Sequence, residues 1–204
     1  MANWTQQDLK ALKNQRENPP LSQKSLLSQN LLGPDQWFLA VDPHLRHMDC
    51  AVIEWGNEAV LDVFTIPSEK GMPREELVTH WASEASQRSI TIGPRLRLCV
   101  IELPDWMNKK AGNKGVQDLV SVAVSASAFA LGMAAHHVRP VFLEPRDWKG
   151  SQKKAQTDAY VKVLAGANIV PKKTNQHQRD ALWMGLTWLR NQKTRAQSTG
   201  LSLI

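Results

Sequence analysis

The sequence predicts an α/β protein, a mixed five-stranded sheet flanked by helices, preceded by a short helical arm. Three observations carry that expectation. Three apolar, strand-like runs follow one another at hairpin distance, and helical and strand patterns alternate after them. Two of the strand-like runs close on an acid, Asp42 after Trp37-Phe38-Leu39-Ala40-Val41 and Glu102 after Leu96-Arg97-Leu98-Cys99-Val100-Ile101. The final apolar helical pattern, Ala181-Leu182-Trp183-Met184-Gly185-Leu186, is preceded by His177 and Asp180.

The elements follow from local chemistry. Residues 5–17 read as a helix with Leu9 and Leu12 on one face, stopped by Pro19-Pro20. A second short helix over 22–32 carries Leu26, Leu27, Leu31 and Leu32 before Gly33-Pro34. Strands are expected at 36–43, 48–55 and 58–65, and Gly56-Asn57 between the last two marks a tight hairpin. A helix at 73–88 leads to a strand at 96–103. The helix expected over 114–133 is rich in small residues (Ala123, Ser125, Ala126, Ser127, Ala128, Ala130), which permit close packing on a sheet. A strand at 138–143 passes through Pro145 to a helix near 151–165, and the last helix is expected over 176–190. His136-His137 falls at a helix C-terminus, where capping is the natural role. These elements divide the chain into an arm (1–35), a body (36–191) and a basic, flexible tail (192–204).

Composition narrows the class. A hydrophobic share of 42% in 204 residues supports one sizeable core. No apolar run is expected to approach the ~20 residues that span a membrane, and the N-terminus lacks the pattern of a secretory signal. Cys50 and Cys99 fall in expected strands without metal-site spacing. They read as reduced core thiols of a cytoplasmic protein, which argues against zinc. The net charge of +6 is uneven: residues 143–204 carry 11 Lys and Arg against 4 Asp and Glu, while residues 37–142 carry 10 against 12. A basic region beside an acidic site suits a polyanionic substrate. A solvated basic tail explains the same numbers equally well.

Buried, unpaired carboxylates are costly, so acids at strand ends beside a core point to a cationic partner. Oxygen and imidazole ligands suit magnesium or manganese. His177 and Asp180 are separated by about 300° of helical rotation and so share a face. The element order is that of the ribonuclease H-like fold. In that fold the first and fourth strands are parallel neighbours, which would bring Asp42 and Glu102 within metal-bridging reach and His177 and Asp180 across from the last helix.

Asp42-Pro43-His44-Leu45-Arg46 followed by Ala51-Val52-Ile53, then Val100-Ile101-Glu102, form an ordered set. Pro145-Arg146-Asp147-Trp148-Lys149-Gly150 with Lys153-Lys154, and His177-Gln178-Arg179-Asp180-Ala181-Leu182, complete it. The set resembles the motifs of RuvC-type Holliday junction resolvases over residues 37–190, the shorter lysine-rich phage versions most of all. The resemblance implies a metal-dependent endonuclease acting on branched DNA as a homodimer, without a membrane, in the cytoplasm of a bacterium or phage-infected cell, near the nucleoid. It implies two Mg2+ or Mn2+ ions per active site, about 4 Å apart. Asp42 would bridge them, and Glu102 and Asp180 would each anchor one. His177 would serve as ligand or proton relay, or only as a helix-terminus hydrogen-bonding group. Lys149 would neutralise charge on the phosphate, or stand as a solvated helix-start lysine. Trp106, in the loop with Lys109, Lys110 and Lys114, would insert at the branch point, or else cover the core edge. Arg46, Trp148, Lys153 and Lys154 would also meet nucleic acid.

Two departures from the family pattern stand out. His44 replaces a glycine after the Asp-Pro pair, and Asp49 stands where a small residue is usual, which puts the first hairpin's mobility and metal access in question. The arm has no counterpart in the bacterial enzymes. Its layout resembles a small DNA-binding module of mitochondrial resolvases, and a helical hairpin packed on the body or on a second subunit fits it as well. The competing class is a non-catalytic ribonuclease H-like protein that binds branched nucleic acid or scaffolds an assembly, whose mark would be a missing carboxylate. An actin-like ATPase would need a glycine-rich phosphate loop after the first strand, and Pro43-His44-Leu45-Arg46 is not one.

Overall fold

The computed structural model describes residues 32–104, 113–148 and 174–198. Five strands form one sheet in the order β3-β2-β1-β4-β5. They are β1 (Trp37–Pro43), β2 (His47–Glu54), β3 (Val60–Pro67), β4 (Leu96–Glu102) and β5 (Arg139–Leu143). β1 to β3 are an antiparallel meander, while β4 runs parallel to β1 and β5 parallel to β4. The described helices are α1 (Arg74–Ile92), α2 (Asn113–Ala134), the short α3 (Pro145–Trp148) and α4 (Gln176–Ser198). The mixed five-stranded α/β architecture expected from the sequence is the one observed. The helices expected at 5–17 and 151–165, and nearly all of 22–32, lie outside the described residues.

The central strands are apolar because both of their faces are covered. Phe38, Leu39, Ala40 and Val41 of β1 are all fully buried. Side chains alternate along a strand, so one face receives Leu39, Val41, Cys50, Cys99 and Ile101. Those residues pack with Leu77, Trp81 and Ala85 of α1 and Ala126, Phe129 and Met133 of α2. The opposite face, which carries Phe38, Ala40, Ile53 and, one or two steps on, Asp42, Asp49 and Glu102, lies under α4. Trp188 of α4 meets Phe38 at 5.2 Å and Trp55 at 5.9 Å between ring centroids. A Cβ on Gly185 of α4 would lie 2.8 Å from Ala40 Cβ, so glycine is what lets this helix sit down on β1.

Four expectations need correction. The β2–β3 connection is not a tight two-residue hairpin: β2 ends at Glu54 and β3 begins at Val60. Asn57 Oδ1 accepts from Ala59 N at 2.9 Å, and the positive φ falls on Glu58 (60°). Gly56 is used for close approach instead, since a Cβ there would lie 2.5 Å from the Pro34 carbonyl oxygen. α1 continues past 88 to Ile92 and stops at Gly93, whose φ of 95° suits only glycine. α4 continues past 190 to Ser198, because Gln192-Lys193-Thr194-Arg195-Ala196-Gln197 is polar but contains no helix breaker. The apolar content of α2 was also underestimated. Val116–Ala134, 19 residues of mean hydropathy 1.5, is long and apolar enough to cross a membrane by length and composition. One face of it, with Ala126, Ala128, Phe129, Ala130 and Met133, is buried in the core that α1 and the sheet share.

Candidate metal centre

β1 and β2 pair so that Asp42 lies directly opposite Asp49. In the parallel pair, Val41 aligns with Ile101, which sets Asp42 and Glu102 side by side at the ends of neighbouring strands. All three acids point to the α4 face, and all three are buried: Asp42 7% exposed, Asp49 fully buried, Glu102 6% exposed. Two turns of sequence logic produce this. The strands are apolar up to their last residue, and period-two alternation puts the acids on the face that α4's first turn overhangs.

That first turn is held by a reciprocal cap. Asn175 Oδ1 accepts from Gln178 N at 2.7 Å, and Gln178 Oε1 accepts from Asn175 N at 3.0 Å. The pattern is that of a capping box, with Asn as cap and Gln three residues on. The same two side chains also bind the sheet. Asn175 Nδ2 donates to Asp49 Oδ1 at 3.0 Å, and Gln178 Nε2 donates to Thr65 Oγ1 at 3.0 Å, while Thr65 Oγ1 itself donates to Asp49 Oδ1. The helix start is therefore fixed over β2 and β3, and His177 and Asp180 are fixed with it.

Asp42, His177 and Asp180 converge: one ligand atom from each lies within 4.8 Å of the others. His177 Nδ1 is 3.3 Å from Asp42 Oδ2, and Gln176 Nε2 donates to Asp180 Oδ1 at 2.9 Å. Glu102 stands on the same face, one strand away, outside that triad. A second group, not anticipated from the sequence, is formed by His44, His47 and His177, again with ligand atoms within 4.8 Å. His44 Nε2 also reaches Asp42 Oδ2 at 3.3 Å, and His47 Nε2 reaches Asp49 Oδ2 at 3.2 Å. Burial opposes protonation of His44, but the Asp42 hydrogen bond and the charges of Asp42, Asp49 and Glu102 outweigh it and raise its pKa. For His47, burial and the neighbouring His44 and His177 win over Asp49, and its pKa is lowered. In the sequence, His44 and Asp49 stand out only as departures from the resolvase-like motif. The missed signal is that His44, His47 and Asp49 bracket one short connection whose register puts them beside Asp42.

The remaining expected site residues are placed unevenly. Arg46 is exposed, and its Nη1 donates to the Met72 carbonyl. Trp148, expected to meet nucleic acid, is instead buried at 5% exposure, because α3 turns its ring inward. That expectation is corrected: the ring is in the core and unavailable for stacking on a base. Trp106, Lys109, Lys110, Lys149, Lys153 and Lys154 lie outside the described residues, and Lys114 is placed only as part of the backbone of α2.

Strand order, with the first and fourth strands adjacent and parallel, is that of a ribonuclease H-like α/β fold. Among solved structures, the chain is similar to Thermus thermophilus RuvC, at a TM-score of 0.60 and 14% identity over 78% of this chain and 97% of that one. It is similar also to Thermus thermophilus RuvC in complex with a Holliday junction substrate (TM-score 0.59, 14% identity, 78% and 95% covered). A third is the yeast mitochondrial Holliday junction resolvase (TM-score 0.59, 10% identity, 85% and 88% covered). No protein-family model and no curated protein sequence matches the chain.

Proposed function

We propose that the chain is a divalent-metal-dependent, structure-selective DNA endonuclease that resolves four-way junctions. The observation that carries the reading is the convergence of Asp42, His177 and Asp180, with Glu102 beside them, in the fold of the junction resolvases. The donor set fits Mg2+ or Mn2+. Asp42 and Glu102 are buried carboxylates, whose charge is best explained by a cation nearby. Asp42, Asp180 and Glu102 would hold the ions, with His177 as a further ligand. Bound there, a pair of ions supplies a nucleophile from water and steadies the charge on the leaving oxygen. The chain's own contribution is positioning. The capping box and its bonds to Asp49 and Thr65 hold the last helix against the sheet, so its two functional side chains need no reordering when substrate arrives. Where its other nitrogen holds no ion, His177, engaged through Nδ1 with Asp42, is suited to passing a proton through that nitrogen instead.

Symmetric cutting of a four-way junction needs two sites, hence two copies of the chain. On α2, Val116, Val120 and Val124 recur every four residues and are 49%, 47% and 44% exposed, with Leu131 at 71%. This apolar stripe supports a homodimer formed through α2.

The test is incubation of the full chain with Mg2+ or Mn2+ and a panel of four-way, forked and linear DNAs, with light scattering of the same samples. Metal-dependent cutting of the four-way junction by a dimer, abolished by chelator, is expected. Asp42→Asn should bind the junction without cutting it. Full cutting by that variant overturns the metal reading. Binding without cutting by the wild type favours a non-catalytic junction-binding protein, and a monomer on the junction favours a flap nuclease.

A further inference from the structure

We propose that His44, His47 and His177 form a binding site for a first-row transition-metal ion, chemically distinct from the carboxylate set that would take Mg2+. The proposal stands whether or not the chain cuts DNA. One nitrogen from each imidazole already lies within 4.8 Å of the other two. Three nitrogens each about 2.0–2.1 Å from a common ion would lie roughly 3–4 Å apart. Small side-chain rotations therefore close the site.

The geometry is built in before any ion arrives. His44 N donates to His47 O at 2.9 Å, which closes the β1–β2 connection and fixes both residues on one side of it. Their rings stack at 4.4 Å between centroids, 21° from parallel. His177 comes from a segment 130 positions further along the chain, and its ring lies edge-on to His44 at 3.8 Å and tilted against His47 at 5.8 Å. Each imidazole is also held by a carboxylate oxygen: His44 and His177 by Asp42 Oδ2, His47 by Asp49 Oδ2. With one ring nitrogen of each histidine turned to a carboxylate, the other is left for an ion, and such a carboxylate orients a histidine ligand and raises its basicity. The side chains are partly open, 28%, 35% and 44% exposed, so an ion has a route in and exchangeable positions remain.

Ligand type decides the ion. An all-imidazole set suits Zn2+, Fe2+, Co2+ and Ni2+, whereas Mg2+ prefers sites dominated by oxygen and keeps its water. Three neutral imidazoles with Asp42 and Asp49 behind them also balance a charge of +2. Because His177 and Asp42 face both groups, an ion on the histidines lies against the carboxylate set and shares two residues with it.

The test uses the full chain, free of DNA, and Co2+ as the probe. Wild-type protein should bind Co2+ with visible absorption bands of moderate intensity, and Zn2+ should displace it, while millimolar Mg2+ should not. His44→Ala and His47→Ala should each weaken Co2+ binding by at least roughly 10–100-fold, the range for disturbing even an outer-shell partner. His136→Ala, in the exposed turn after α2, is the control and should bind as wild type does. Circular dichroism establishes that each variant is folded. Unchanged Co2+ binding in both folded variants overturns the proposal, as does equal displacement by Mg2+ and Zn2+. Loss in Asp180→Asn with retention in His44→Ala also overturns it, because the ion would then belong to the carboxylates. A chain that binds Co2+ through His44 yet cuts no DNA retains this inference and removes the nuclease reading; the opposite result does the reverse.

Discussion

Asn175→Ala tests whether the last helix is held where its chemistry needs it. The side chain makes two kinds of bond at once. Its Oδ1 caps the helix through Gln178 N at 2.7 Å, and its Nδ2 donates to the fully buried Asp49 at 3.0 Å. Losing a cap of this type costs about 1 kcal/mol. Losing a hydrogen bond to a charged acceptor costs roughly 1.5–3 kcal/mol. Asn175 is itself exposed, so water takes over part of the second bond, and the expected total is about 2–3 kcal/mol. For a chain of this size that corresponds to a fall in Tm of roughly 4–12 °C. Urea unfolding with a parallel thermal melt measures it. Asn175→Ser keeps a capping oxygen but offers no amide to Asp49, so it should lose only the second part. Asn175→Asp keeps the cap and sets a like charge against Asp49, and should be at least as destabilised as Asn175→Ala near neutral pH. A loss within about 0.5 kcal/mol for Asn175→Ala, the ordinary range of a surface substitution, would refute the argument.

Two further outcomes follow from packing. Gly132→Ala on α2 would by helix propensity gain up to about 1 kcal/mol. Its Cβ would lie 2.2 Å from the Ala82 carbonyl oxygen of α1, so a net loss of roughly 1–3 kcal/mol is expected instead; a raised melting temperature would contradict the close helix contact. Cys50 and Cys99 are buried free thiols, and burial pushes both well above the ordinary thiol range. At pH 8 neither should react with iodoacetamide within minutes in the native chain, and both should react after unfolding in urea; rapid labelling of the native protein would show that the sheet core opens.

The fold was legible because its signals are local and redundant. β1 and β4 are near-continuous apolar runs with a charged residue at the end, and a strand buried on both faces can hardly be written otherwise. What escaped depended on residues far apart or on competing uses of one residue type. Gly56 has the look of a turn glycine, yet it is there because Pro34 passes 22 positions earlier in the chain and leaves no room for a Cβ. Polarity after Asn191 points to a mobile tail, yet α4 runs on to Ser198, since Gln, Lys, Arg and Ala are good helix formers. Trp148 follows a basic pattern that suggests contact with a polyanion, and the structure turns its ring inward.

The candidate site divides along the same line. Asp42, Glu102, His177 and Asp180 were visible one by one, as acids ending apolar strands and as two residues three apart at a helix start. Asp49 was not, since within β2 it is one polar residue flanked by Met48 and Cys50, and nothing local gives it a purpose. Its purpose is non-local. Opposite Asp42 on the neighbouring strand, it accepts from Asn175 at the start of α4 and from Thr65 on β3, and it holds His47. A buried carboxylate with two hydrogen-bond donors and an imidazole is affordable where an isolated one is not. Where a small side chain would leave the hairpin and the last helix free to part, Asp49 ties them together, and His44 and His47 then fall into register with His177. Asp49 and His44 thus act together: the acid anchors the helix, and the anchored helix completes the histidine cluster.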